Sequence, residues 1–241
     1  PLADGPDGPR LLAEGARKLR QSTDRAIIGL FGGNLLEIGQ MLFRNDLFLM
    51  LLAEEPDQAH EFLDRLLEIH LANLEKFLQP VGRYIDVILF GDDLGMQGGP
   101  QISPRMYCEF FKPRHQKMWR RVKELADVKI MLHCCGGVRP LLSHLIDAGL
   151  DAINPVQVSA AGMELTELKR EFENRLTFWG GGCDTQTILP KAGPEEVARH
   201  VQQQAGVFGR SGGWVFQQVH NILADVPPEN IVAMYDVVHQ T

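Results

Sequence analysis

The chain has 241 residues, 44% of them hydrophobic and 23% charged, a mix that rules out a mainly disordered protein and suffices for one barrel-sized domain. Its 24 Lys and Arg against 31 Asp and Glu give a net charge of −7, a poor match to polyanions, so nucleic acid is not an expected partner. The longest apolar run, residues 47–53, ends at Glu54 and Glu55, far short of the ~20 residues of a membrane span, so no membrane partner is expected.

Taken in chain order, one pattern repeats: a short β-branched run, a Gly- or Asp-rich turn, then an amphipathic helix. Residues 26–31 read as a strand that ends in Gly32 and Gly33. Residues 56–78 read as a helix, opened by Pro56 and the acidic Asp57, with Phe62, Leu66, Leu67, Ile69, Leu71, Leu74 and Phe77 near a 3.6 period. Residues 86–90 form the second expected strand, ending in Gly91, Asp92 and Asp93. Ser103 followed by Pro104 is an N-cap with Pro at N1, opening a helix to about Leu125. Residues 128–132 form the third strand, ending in His133, Cys134, Cys135, Gly136 and Gly137. Residues 138–148 form a helix that stops at Gly149. Strands at 151–154, 176–179 and 214–217 follow. They end near Gln157, at Gly180 to Asp184, and near His220 and Asn221. Pro194 and Pro227–Pro228 open two further helices.

Alternating strands and helices imply parallel strands joined by right-handed crossovers, as in a doubly wound sheet or a (β/α)8 barrel. Both fold types place ligands at the carboxyl ends of strands. No G-x-G-x-x-G follows the first strand, and polar residues follow strand after strand, which favours a barrel mouth. Six strands are two short of eight. The expected fold is therefore α/β, a (β/α)8 TIM-type barrel lacking one or two N-terminal strands. No Ser- or Pro-rich linker divides the chain, so residues 1–241 read as a single domain. The opening residues 1–7 lack a signal peptide's basic and apolar regions, and four cysteines are too few for a disulfide scaffold. A cytoplasmic location with reduced thiols is expected.

His133 and Cys135 stand two apart where a strand frays into its loop, and Cys183 follows another strand. One imidazole and two thiolates suit Zn²⁺, and three protein ligands leave an open, catalytic position. The plainer alternative is thiols and small polar groups packed in a barrel mouth. Cys134 would point away from Cys135 as buried filler, and Cys108 sits inside a helix. Asp92 and Asp93 could bind a cation, act as acid and base, or cap the next turn. His220 is either a hydrogen-bonded structural residue or a proton-handling one. Gln97, Gln157 and Gln186 stand near strand ends and could orient a polar substrate, or be ordinary loop residues.

These blocks, Gly91-Asp-Asp-Leu-Gly-Met-Gln97, Ile102-Ser-Pro-Arg-Met-Tyr107, His133-Cys-Cys-Gly136, Asp151-Ala-Ile-Asn-Pro-Val-Gln157, Gly180-Gly-Gly-Cys-Asp-Thr-Gln186 and Val219-His-Asn-Ile222, occur in order over nearly the whole chain. Together they resemble the uroporphyrinogen decarboxylase superfamily. The resemblance implies a TIM-type barrel with its active site in the mouth, and one of two chemistries. True uroporphyrinogen decarboxylases use no metal and grip the tetrapyrrole with an N-terminal segment carrying paired arginines and an aspartate, which nothing in residues 1–21 matches. The other branch holds cobalamin-dependent methyltransferases that act on thiols or aryl methyl ethers. Its zinc-bearing members carry His-x-Cys and a distant Cys, which fall here on His133, Cys135 and Cys183.

The resemblance thus implies a zinc-dependent methyltransferase that moves a methyl group between a small-molecule donor or acceptor and a corrinoid (cobalamin) carried by a partner corrinoid protein. Asp92, Asp93 and His220 are the expected polarising or proton-handling groups. Gly180 to Gly182 would admit a flat ligand close to the backbone. A metal-free decarboxylase is the alternative enzyme, and a non-catalytic interaction protein the third class.

Overall fold

The computed structural model describes residue 5, residues 7–208 and residues 212–240. In chain order the elements begin with α1 (Gly8–Ser22), β1 (Ile28–Gly32), α2 (Leu36–Phe43), α3 (Asn45–Glu54), α4 (Pro56–Val81) and β2 (Val87–Gly91). A two-stranded hairpin follows, β3 (Gly95–Met96) and β4 (Gly99–Pro100). Next come α5 (Pro104–Met106), a π-helical turn (Tyr107–Phe111), α6 (Lys112–Leu125), β5 (Lys129–His133), α7 (Arg139–Ala148) and β6 (Ala152–Asn154). The remainder is α8 (Leu165–Phe172), β7 (Thr177–Trp179), α9 (Ile188–Lys191), α10 (Pro194–Phe208), β8 (Trp214–Val215) and α11 (Pro228–Gln240). All six expected strands are present.

The chain forms two compact units that interleave along the sequence. The first takes the chain up to Asp93, Ile102–Leu132 and His144–Leu150; the second takes Leu94–Gln101, His133–Ser143 and the chain from Asp151 onward.

In the first unit β1 pairs in parallel with β2, Ile28 opposite Val87 and Leu30 opposite Leu89, with an irregularity between Leu30 and Gly32. An aromatic cluster fills the space between strands and helices, with Phe31 edge-on to Phe90 at 5.4 Å and Phe90 edge-on to Trp119 at 6.2 Å. Helix α4 runs three residues past the expected end. Its buried face carries Ala59, Leu63, Leu66, Leu67, Leu74 and Leu78, whereas Ile69 turns outward and is half exposed. Ser103 caps as expected, its hydroxyl accepting the Met106 N–H at 3.2 Å. The helix expected over 103–125 is interrupted, however, by the π-helical turn. Pro113 explains this: it has no N–H for the carbonyl of Glu109, and its ring would crowd that carbonyl in an α-helix.

In the second unit β6 pairs in parallel with β7, and β7 with β8. A parallel bridge between Cys183 and Gln218 continues the pairing past the strand ends. The antiparallel hairpin of β3 and β4, absent from the sequence reading, is only four residues of pairing. Cys183, Leu189, Val197, Val201, Val226 and Met234 form the core under α10 and α11. Asn230 ties α11 to α9, its Nδ2 donating at 2.8 Å to the carbonyls of Leu189 and Ala192. Among the described residues, no helix is long and apolar enough to cross a membrane.

Candidate functional site

The second unit gathers the polar ends of its strands around one group of side chains. Among the described residues, His133, Cys135 and His220 bring one imidazole, thiol and imidazole ligand atom within 4.8 Å of one another. His133 Nε2 and Cys135 Sγ are 3.5 Å apart, and the rings of His133 and His220 meet edge to face at 5.9 Å. His220 is exposed, and His133 and Cys135 are half-buried.

The tautomer of His133 follows from its neighbours. The buried Asn154, at the end of β6, donates both Nδ2 hydrogens, to the Trp179 carbonyl and to Gln217 Oε1, each at 3.0 Å. The Trp179 carbonyl can only accept, so the Asn154 amide has one orientation and its Oδ1 faces His133. That oxygen lies 2.8 Å from His133 Nδ1, which must therefore donate. The lone pair is left on Nε2, facing Cys135. Asn154 also accepts the Cys134 N–H through its own carbonyl at 2.7 Å, which pins the loop after β5 to β6. Gly136 makes the turn possible with φ of +84°, and a Cβ there would fall 2.4 Å from the backbone of Gly95.

Cys183 does not join this group. Its side chain is fully buried in the apolar core under α10 and α11, and burial pushes its thiol up to about 12. The bridge to Gln218 fixes that direction, with the Val219 N–H donating to the Cys183 carbonyl at 2.8 Å. The third member is instead His220, two residues past the bridge. Cys134 is buried as expected, its sulfur accepting the Leu94 N–H at 3.2 Å.

The three glutamines tie loops together. Gln157 Oε1 accepts the Gly136 N–H at 2.9 Å while its Nε2 donates to Gln97 Oε1 at 2.7 Å. Gln97 Nε2 donates to the Ser159 carbonyl at 2.8 Å, and Gln186 Oε1 accepts from the Ser159 hydroxyl at 3.2 Å. The glycine run is likewise used by the protein itself. A Cβ at Gly180 would lie 2.0 Å from the Pro155 carbonyl oxygen, and one at Gly182 would lie 2.5 Å from the Phe216 ring.

Asp92 and Asp93 belong to the first unit and do different things. Asp92 is fully buried, and its carboxylate accepts the N–H groups of Leu35, Leu36 and Glu37 at 3.0–3.2 Å. It caps α2, far earlier in the chain, rather than the turn that follows it. His115 Nε2 lies 3.7 Å from the same carboxylate, and its Nδ1 is 3.1 Å from the Tyr107 hydroxyl. Asp93 is half-buried and its N–H donates to Glu37 Oε2 at 3.2 Å. Glu37 escaped the sequence reading. Burial raises its carboxyl, the charges of Asp92 and Asp93 add to the rise, and a hydrogen bond from Asn34 opposes it. The one available signal was its place, four residues after Gly33 at the end of the first strand.

A family model for uroporphyrinogen decarboxylase (URO-D) matches residues 7–241. Among curated proteins, the uroporphyrinogen decarboxylase of Vesicomyosocius okutanii is 26% identical over 190 residues, 78% of this chain and 51% of that protein. That of Legionella pneumophila is 23% identical over 193 residues, 80% of this chain and 51% of that protein. The chain thus spans about half the length of the curated relatives it matches. Among solved structures, a methyltransferase from Methanosarcina mazei superposes with a TM-score of 0.72 at 18% identity, covering 98% of this chain and 67% of that one. At that identity the likeness speaks for the fold, the α/β TIM type anticipated from the strand and helix order. With the family model matched from the first helix to the last residue, the chain belongs to the uroporphyrinogen decarboxylase (URO-D) family.

Proposed function

We propose that the chain is a zinc-dependent methyltransferase of this family, moving a methyl group between a small thiol or aryl methyl ether and a corrinoid on a partner protein. The observation that carries this reading is the convergence of His133, Cys135 and His220, with His133 held in one tautomer by Asn154. The donor chemistry fits zinc. Bonds of ~2.0 Å to nitrogen and ~2.3 Å to sulfur at a tetrahedral angle separate the two atoms by ~3.5 Å. His133 Nε2 and Cys135 Sγ stand 3.5 Å apart. The fold-level likeness to a methyltransferase supports the same reading.

His133 and Cys135 would hold the ion through Nε2 and Sγ. When bound, zinc would supply a lowered pKa to a substrate thiol, or a Lewis acid to the oxygen of a methyl ether. The chain's own contribution is orientation. Asn154 keeps the Nδ1 proton of His133 in place, and Gln217 and the Trp179 carbonyl keep Asn154 from turning over. The Gln157 and Gln97 pair braces the loop that carries Cys135.

A second reading rests on the names of the curated relatives: a metal-free decarboxylase acting on a porphyrinogen. Elemental analysis of the purified chain, expressed with ample zinc, separates the two. The methyltransferase reading expects about one zinc per chain, lost in C135S. A zinc-free chain that removes carboxyl groups from uroporphyrinogen would establish the second reading in its place.

A further inference from the structure

Which side chain completes the donor set of the proposed metal site is decided by the fold of the second unit. A third donor must reach the space beside His133 Nε2 and Cys135 Sγ and must not be committed elsewhere. Cys183 fails the first condition: its side chain is fully buried and packs with Leu189, Val197 and Val201. Asp184, the next residue, fails the second. Its Oδ1 accepts the Gln186 N–H at 3.0 Å and its Oδ2 accepts from the Thr187 hydroxyl. Asn154 Oδ1 is taken by His133, and Gln217 Oε1 by Asn154. The Cys134 sulfur is buried and accepts the Leu94 N–H. His220 meets both conditions. It follows the bridge that extends the sheet past β8, and its ligand atom lies within 4.8 Å of the other two.

We infer that His220, and not Cys183, is the third protein ligand of a borderline divalent cation held by His133 and Cys135. The inference rests on the metal-site reading above. It describes a site of two imidazoles and one thiolate, in which three protein donors leave one position for a ligand from solution. His220 itself is exposed, so the group of donors is reachable from solvent on that side. A single thiolate also leaves a bound divalent ion with one net positive charge, where two thiolates would cancel it.

The test loads the 241-residue chain with Co²⁺ in place of zinc, because the visible and near-ultraviolet absorption of Co²⁺ reports the number of bound thiolates. The expected spectrum has the sulfur-to-cobalt intensity of one thiolate. It is unchanged in C183A and lost in C135A. H220A lowers Co²⁺ and Zn²⁺ affinity by at least the ~10–100-fold typical of losing a supporting group of a metal ligand. His220 is exposed, so this variant is not expected to disturb the core, and circular dichroism checks that it folds. A two-thiolate spectrum that halves in C183A, with H220A binding as tightly as the parent, overturns the assignment of His220 while leaving the methyltransferase reading standing. A folded chain that takes up neither Co²⁺ nor Zn²⁺ overturns both.

Discussion

At the scale of single residues, the candidate site depends on one buried amide. Asn154 commits its side-chain Oδ1 to His133 and both Nδ2 hydrogens to the Trp179 carbonyl and Gln217 Oε1, so its hydrogen-bonding capacity sets the imidazole tautomer. N154A removes that constraint without touching a proposed ligand. Zinc affinity, measured by competition with a chromophoric chelator, is expected to fall by ~10–100-fold while the far-ultraviolet circular dichroism stays the same. Unchanged affinity would mean that His133 is oriented by packing alone. N154D still accepts from Nδ1 but sets a second carboxylate oxygen against the Trp179 carbonyl and Gln217 Oε1, so it is expected to lower stability in urea unfolding as well. This dependence could not be read from the sequence, where Asn154 is one residue in a short strand. His133 and Cys135 stood out because a His-x-Cys at a strand end is chemically unusual. Asn154 acquires its role only by lying beside them.

At the scale of elements, Asp92 shows how a strand end builds a helix start. The carboxylate at the end of β2 accepts three N–H groups at the start of α2, where the orphan donors of a helix and its dipole both favour a negative charge. D92A leaves those donors buried and unpaired, and is expected to cost ~3 kcal/mol in urea unfolding. D92N keeps one acceptor oxygen and should fall between D92A and the parent. A D92A chain as stable as the parent would show that water replaces the carboxylate freely. Both Asp92 and Asp93 were legible as residues of interest from their place after a strand. Their division of labour was not, because the partner of Asp92 is a helix more than fifty positions earlier in the chain. The π-helical turn has the opposite lesson. Pro113 announces a local disturbance in the sequence, yet the apolar pattern around it is nearly the same for an α- and a π-turn.

At the scale of the whole molecule, stability is tied to pH through imidazoles in both units. Burial lowers the pKa of His70 in the first unit and of His200 in the second, below the ordinary 6.5. His70 is further held by its Nε2, 2.9 Å from the Asn34 carbonyl, and His200 Nε2 accepts the Asp184 N–H at 3.4 Å. Below pH 6.5 the unfolded chain binds protons that the folded chain refuses, so this stabilisation is whole above pH 6.5 and is lost as pH falls through the lowered folded values. Glu37 runs the other way. Its raised carboxyl gives stability that is whole below about 4.5 and lost as pH rises through the raised value. Thermal unfolding followed from pH 7.5 to pH 5.5 is expected to show a falling midpoint, with a shallower fall in H70Q and in H200Q. Equal slopes in all three proteins would place the acid sensitivity elsewhere.

Local patterning was enough to settle the places of the six strands, the start of α4, the Ser103 cap and the Gly149 stop, because each depends on contacts within a few residues or on the period of apolar side chains. It was also enough to mark His133 and Cys135 as residues that carry chemistry. Tertiary structure decided the rest of the site. Whether Cys183 or His220 turns toward His133 depends on strand pairing past β7 and β8, and the bridge at Gln218 sends the thiol into an apolar core while the imidazole faces solvent. A pairing register is a long-range quantity, and moving it by one residue exchanges the two faces of a strand, which no local pattern in this chain could have foretold.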